Sequence, residues 1–358
     1  MPTRSAHTTA APATRTRRRA RRLRLLAVPV GAALGVGLLA AGGVPDASAS
    51  TTSTPNLSGV TINVADQFKE YETAFAATHT LDGAPYKVSW SQFVGGPPII
   101  AAETGGSVDL GDMAETPTIF AQAAGDPVKV VAITKGAVST ASPFALTVPP
   151  GSHITKVSQL RGKSIAVQEG TVEQFFLIQA LARAHVPYSA VTIDNLPVTS
   201  GSAALTAGKV DAFVSTQPLT ALDVLAGKAR VLESGAGIIQ SLGYLTASQS
   251  ALDNPAKTAA IEDFVNRFYK AQAILGKNPQ LAAQTYVTTY GVPLAAAQAA
   301  VASVQAVGTP VTPAIVKYQQ NEANTFLKLG LISSKINVSH VFDLPVNRKI
   351  AAAAGLRA

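Results

Sequence analysis

Apolar, strand-like runs that stop at a glycine or proline and then open into a helix recur along this chain. Trp90-Ser91-Gln92-Phe93-Val94-Gly95-Gly96-Pro97-Pro98 is the clearest case. Glycine permits the tight turn, and proline suits the first helical turn, where an N–H has no intrahelical partner. The other free N–H groups of such a helix start carry partial positive charge toward one spot. An α/β protein can hold a small anion there without a charged side chain.

The alternation runs through two units. Val60, Ile62 and Val64 predict a strand, followed by a helix over about Phe68–Thr78. Strands are predicted at Val88–Phe93, Val108–Leu110 and Val128–Ile133, with helices over Ile99–Glu103 and Thr118–Ala124. After Pro149-Pro150-Gly151 a second series begins. Its strands are Ser164–Gln168, Val191–Leu196 and Val210–Ser215, and its helices Val172–Ala184, Ser202–Ala207 and Leu219–Leu225. From Pro255 the pattern is helical, with Asn254 and Asn278 as N-caps. The expected fold class is therefore α/β: two lobes with mainly parallel sheets, two chain crossovers and a helical C-terminal segment. The expected crossings are Pro143–Val148 and Gly243–Ala247, giving 59–146 and 244–358 to lobe 1 and 147–243 to lobe 2. Ligand sites in such sheets lie beyond the carboxyl ends of the strands, here between the lobes.

Residues 1–49 read as a cleavable signal peptide. Eight arginines precede or enter an apolar run, Leu25–Ala41, and Ala47-Ser48-Ala49 fits a small-x-small cleavage site. A retained membrane anchor is the alternative. Arg21-Arg22 gives a weak twin-arginine hint, so the export route, Sec or Tat, stays open. Residues 50–58 read as a polar tail. The whole chain has a net charge of +8, but without the leader it has 21 basic and 20 acidic residues. The excess charge belongs to the leader and gives no argument for nucleic acid as a partner. The chain has no cysteine, which excludes disulfides, thiolate chemistry and a lipid-anchored cysteine. A secreted or periplasmic/cell-surface protein is expected, a monomer with no stable membrane span after cleavage and not a lipoprotein.

Five turns are expected to face the cleft: Gly95-Gly96-Pro97, Glu115-Thr116-Pro117, Glu169-Gly170-Thr171-Val172, Thr199-Ser200-Gly201-Ser202 and Thr216-Gln217-Pro218. Taken singly, each is an ordinary capped turn. Repetition in both units favours a convergent anion site. Enzyme chemistry has little support. His79, His153, His185 and His340 have no ligand at metal-binding spacing, and no Gly-x-Ser-x-Gly elbow or phosphate loop occurs. Asp109 and Asp112 flank Gly111 and suit a turn better than a catalytic pair. Trp90 suits either the core or the cleft wall. No cofactor and no metal is expected.

The quoted Trp90–Pro98 stretch, Gly106-Ser107-Val108-Asp109-Leu110-Gly111 and Pro117 through Gly125 resemble the binding proteins of nitrate/sulfonate/taurine ABC importers. Aliphatic-sulfonate binders are nearest. Leu160-Arg161-Gly162-Lys163-Ser164-Ile165-Ala166-Val167-Gln168-Glu169-Gly170-Thr171 and Ala207-Gly208-Lys209-Val210-Asp211-Ala212 agree. Gln319, Asn324, Phe326 and Gly330-Leu331-Ile332 agree more loosely. The resemblance implies a two-lobed type II periplasmic-binding-protein fold that closes on a small anion or zwitterion. It implies an ABC permease and its ATPase as partners, and ligand contacts from Gln67, Gly96, Glu115, Thr116, Gly170, Thr171, Thr199, Ser200 and Gln217. Sulfonate binders often have Trp-Asp-Pro where this chain has Thr216-Gln217-Pro218, and paired serines where it has Thr171-Val172. A cleft carboxylate at Glu115 would suit a zwitterion. A secreted hydrolase of a small ester or sulfinate, using Asp109 or Glu115, is the alternative from another class. A secreted scavenging protein without a transporter is a third.

Overall fold

The computed structural model describes residues 55–136 and 141–357. The expected leader at 1–49 and most of the expected tail lie outside the described residues.

The first unit alternates β1 (Thr61–Gln67), α1 (Glu70–Thr78), β2 (Lys87–Phe93), α2 (Gly96–Thr104), β3 (Leu110–Ala114), α3 (Thr116–Ala124) and β4 (Val128–Gly136). The second holds β5 (Phe144–Val148), β6 (Ser164–Val167), α4 (Val172–Arg183), β7 (Thr192–Asn195), α5 (Val198–Thr206), β8 (Ala212–Thr216), α6 (Leu219–Leu225) and β9 (Arg230–Ser234). There follow β10 (Leu242–Ser248), α7 (Gln249–Leu252), α8 (Pro255–Lys277), α9 (Pro279–Tyr290) and α10 (Leu294–Val304). The short strand β11 (Ala306–Thr309), α11 (Pro313–Lys328) and α12 (Leu344–Ala353) complete the series.

These strands form two sheets, ordered β11-β4-β10-β3-β1-β2 and β7-β6-β8-β5-β9. Each sheet has a parallel set interrupted by one internal antiparallel strand. That strand is β10 in the first sheet and β5 in the second. In both cases it is the strand on which the chain arrives from the other sheet. The passages lie between β4 and β5 and between β9 and β10. They precede the expected crossings, because Phe144–Val148 and Leu242–Ser248 are strands inside their sheets rather than connections.

Burial explains most element positions. Val128 and Val130–Ile133 are buried along β4, as expected where helices cover both faces of a sheet. On α8, Ile261, Phe264, Val265 and Phe268 follow helical spacing and are buried against the first sheet. Trp90 packs beside Phe75 and Phe264, so it belongs to this core and not to the cleft wall. On α11, Phe326 meets Phe120 of α3 and Phe175 of α4. That contact ties the C-terminal segment to both units.

β3 begins at Leu110 rather than Val108. Gly111 and Asp112 disfavour a strand by composition. Gly111 is required there because a Cβ would lie 2.4 Å from Ile99 Cγ2. Asp109, just before the strand, accepts from the Asn63 backbone N–H at 2.9 Å and pairs with Lys257 at 2.7 Å. Among the described residues, no helix is long and apolar enough to cross a membrane.

Candidate functional site

The carboxyl ends of β1, β2, β3, β6 and β8 converge on one cavity of about 280 Å³. Gln67, Gly95, Gly96 and Asp112 line it from the first unit, and Gln168, Thr171, Glu173 and Gln217 from the second. α8, α9 and α10 contribute Gln272, Tyr286, Tyr290 and Ser303. Gly170 on one side approaches Pro97 and Phe120 on the other, so the two units meet closely at the mouth.

Two helix starts from different sheets open onto this space. α2 begins after Gly95, whose φ of 83° and ψ of 163° suit glycine alone. Gly96 follows because a Cβ there would lie 2.3 Å from Pro117 Cγ, where α2 crosses α3. α4 begins after Thr171, and Val172 and Glu173 in its first turn line the cavity. Neither helix has a side-chain cap. α3, α5, α6 and α10 lack one too, whereas Ser248, Asn254, Asn278, Thr312 and Asp343 cap α7, α8, α9, α11 and α12. α1 is satisfied as well, since Asp66 accepts from the Tyr71 and Glu72 N–H groups at 3.1 and 2.8 Å.

Side chains brace the turns. Gln67 accepts from Gly95 N–H at 3.0 Å and donates to the Asp112 carbonyl at 3.0 Å, joining three strand ends. Thr171 donates to the Gln168 carbonyl at 2.6 Å. Gln174 accepts from Gly170 N–H at 2.8 Å, and Gln217 from Ala221 N–H at 3.1 Å.

Of the nine expected contact residues, Gln67, Gly96, Thr171 and Gln217 line the cavity. The other five do not. Gly170 sits behind the turn, with its N–H committed to Gln174. Glu115 and Thr116 are fully buried. The helical backbone at Glu115 turns them toward α11, where Thr116 donates to Glu322 and Tyr318 donates to Glu115 at 3.5 Å. Glu115 is absent from the cavity lining and so is not a cleft carboxylate facing a ligand; burial pushes its carboxyl and that of Glu322 up. α5 starts at Val198 rather than Ser202, so Thr199 and Ser200 lie exposed in its first turn. Thr199 borders a neighbouring, more open hollow.

The alternative catalytic carboxylates lack access. Asp109 is held by Lys257 and Asn63 and does not line the cavity. The four histidines are exposed on the surface. Among the described residues, no group of three acidic or histidine side chains could hold a metal ion.

Sequence reasoning missed the lining groups Glu70, Tyr71, Glu173, Tyr286 and Tyr290, and took Asp112 for a turn residue. Burial pushes the Glu70 carboxyl up to about 7 and raises Asp112 and Glu173 as well. Glu70 opens α1 just after a strand that the pattern did locate, and Asp112 lies within β3, whose bounds it misplaced. The tyrosines, four residues apart on α9, share a helix face that was legible without its partner.

Residues 98–282 match the family described as NMT1/THI5 like, which is more than half of the chain. The chain is 28% identical over 256 residues to a protein named for aliphatic-sulfonate binding in Escherichia coli (strain K12), covering 70% of this chain and 78% of that one. A protein named likewise in Bacillus subtilis (strain 168) is 26% identical over 259 residues, 72% of this chain and 76% of that one. Among solved structures, the alkanesulfonate-binding protein SsuA of Xanthomonas axonopodis pv. citri, bound to MOPS, superposes with a TM-score of 0.72 at 26% identity. That match covers 79% of this chain and 97% of the other. The two-sheet topology is the type II periplasmic-binding-protein fold shared with these proteins. The resemblance to sulfonate-type binding proteins read from the motifs thus extends over most of the described chain, which belongs to the NMT1/THI5-like family.

Proposed function

We propose that this chain is an extracytoplasmic solute-binding protein of an ABC importer. It captures a small organic anion or zwitterion of the sulfonate class between its lobes and delivers it to a permease. The observation that carries this reading is the meeting of two uncapped helix starts, α2 and α4, on one cavity. An anionic head group there accepts from Gly96 N–H, the first-turn donor that Pro97 and Pro98 leave to α2, and from the first N–H groups of α4, each contact contributing about 0.3–1 kcal/mol and more when desolvated. The relatives named for sulfonate binding support the ligand class. Hinge closure between the units then seals the ligand, with β1 to β4 and β10 to α12 forming one lobe and β5 to β9 the other.

The test is a thermal-shift screen of protein refolded free of carried-over ligand. Alkanesulfonates, aminoalkanesulfonates, sulfate esters and nitrate form the panel. A binder at 100 times its dissociation constant stabilises the fold by about 2.7 kcal/mol. A flat response to every sulfur-bearing anion would sink the reading. Fractionation of cells producing the full chain tests export separately, and protein retained in the cytoplasm would contradict it.

A further inference from the structure

The binding cavity has an unexpected charge pattern for a site meant for an anion alone. Glu70, Asp112 and Glu173 line it, and no lysine, arginine or histidine does. None of the three takes part in a salt bridge among the described residues. Glu70, Asp112 and Glu173 are half-buried, and a carboxylate withdrawn from water without a cationic partner is costly.

Glu70 and Asp112 are each held on one side only. Tyr290 donates its hydroxyl hydrogen to Glu70 Oε1, and Tyr71 donates to Asp112 Oδ1 at 2.7 Å. No hydrogen bond among the described residues reaches Glu70 Oε2 or Asp112 Oδ2. The tyrosines thus fix the two carboxyl groups and leave one acceptor of each available. Tyr286 stacks on Tyr290 with ring centroids 5.4 Å apart and also lines the cavity. Carboxylates with aromatic faces beside them form a setting that favours an organic cation. Glu173 lies apart from this pair, in the first turn of α4 across the cavity.

Resting on the proposed function, we infer that the ligand carries a protonated amine, and that Glu70 and Asp112 are the specificity-determining residues that accept its N–H donors. The anionic head then sits at the starts of α2 and α4, and the ammonium group points toward α1 and α9. Two free acceptors call for a nitrogen with at least two N–H donors, so a primary ammonium fits and a quaternary one does not. Once ionised, the acids also act against plain anions, because an alkanesulfonate of equal length brings a like charge into the same space.

Calorimetric titration at mildly alkaline pH compares four probes of matched chain length: an aminoalkanesulfonate, the plain alkanesulfonate, the N-trimethylated aminoalkanesulfonate and the plain alkylamine. The aminoalkanesulfonate should bind about tenfold or more tighter than the plain sulfonate, the scale of one hydrogen bond to a charged group. The trimethylated probe should lose most of that advantage. Glu70→Gln and Asp112→Asn keep the tyrosine hydrogen bonds and should each narrow the gap. Equal or tighter binding of the plain sulfonate, unaltered in ratio by both variants, overturns the inference and leaves the proposed function standing. An alkylamine that binds as tightly as the aminoalkanesulfonate does the reverse: it keeps the amine site and removes the sulfonate class. A trimethylated probe that binds equally well overturns the accepting role of the two carboxylates.

Discussion

Gly96→Ala isolates the contact that fixes α2 against the cavity. Gly96 is the first residue of α2 and has an ordinary helical role. Alanine is the better helix former, by up to about 1 kcal/mol in a helix interior. Considered locally, the substitution should stabilise. The neighbour reverses that sign. The new Cβ would lie 2.3 Å from Pro117 Cγ, 2.8 Å from Pro117 Cβ and 3.2 Å from Met113 Cβ. Pro117 is a ring fused to the backbone at the start of α3 and is itself buried, so it cannot rotate away. Overpacking of this kind costs about 1–3 kcal/mol, so a net loss of roughly 1–2 kcal/mol is expected in urea melts. The double variant Gly96→Ala/Pro117→Ala removes the Cγ atom and should recover part of the loss, a coupling of about 0.5–2 kcal/mol for touching residues. Ligand affinity should fall in the single variant, because the start of α2 must retreat from the cavity. A single variant that is as stable as the parent, or more so, refutes the reasoning, since α2 and α3 would not then be held at a fixed separation.

Phe264→Ala empties a fully buried position between α8 and the first sheet. Chemical denaturation should show a loss of about 3–5 kcal/mol, and a loss below about 1 kcal/mol would mean the site collapses around the smaller side chain. Burial pushes the Glu70 carboxyl up to about 7 and Glu103 up to about 8 from an ordinary 4.5. Each keeps a proton in the folded chain where the unfolded chain has lost it, so stability is fullest below about pH 4.5 and falls as pH rises through 7 and 8. Tm measured from mildly acidic to alkaline buffer should decline, Glu103→Gln should flatten the decline, and a Tm that climbs over that range contradicts the assignment. Asp109→Ala removes the partner of Lys257 and of the Asn63 N–H. It should cost about 1–3 kcal/mol in stability and leave affinity unchanged, and lost affinity at full stability would return Asp109 to the site.

Sequence pattern carried the fold further than the site, for a physical reason. Helix and strand periods are local, and Ile261, Phe264, Val265 and Phe268 announce their helix by spacing alone. Turn chemistry is local too, which is why Gly96, Thr171 and Gln217 were found at the cavity. Side-chain direction at a helix start is less local. Glu115 lies in such a turn, yet its backbone aims it at Glu322, more than 200 residues away. Tyr290 and Glu70 are likewise 220 residues apart. Their meeting depends on α9 returning to the first unit, and no periodicity encodes that return. Strand β3 was placed two residues early at its start and four at its end, because Gly111 answers to Ile99 packing and not to strand propensity.

The distribution of helix caps gives these observations a common cause. A helix start needs acceptors for its first N–H groups. Five of the helices after β10 supply them with Ser248, Asn254, Asn278, Thr312 and Asp343, and α1 takes them from Asp66. α2, where Pro97 and Pro98 leave Gly96 as the first-turn donor, and α4 have no such side chain, as α3, α5, α6 and α10 also do not; α2 and α4 are the two whose first turns meet on the cavity from different sheets. Weak helix-forming sequence does not account for this, because α4 buries most of its length in the second core. An anion that supplies the missing acceptors binds one helix from each sheet at once. Its binding energy therefore acts across the gap between the units, so the same contacts that recognise the head group also favour closure. Glu70 and Asp112 then act on a different part of the ligand, and charge at that end can select among anions that the helix starts treat alike.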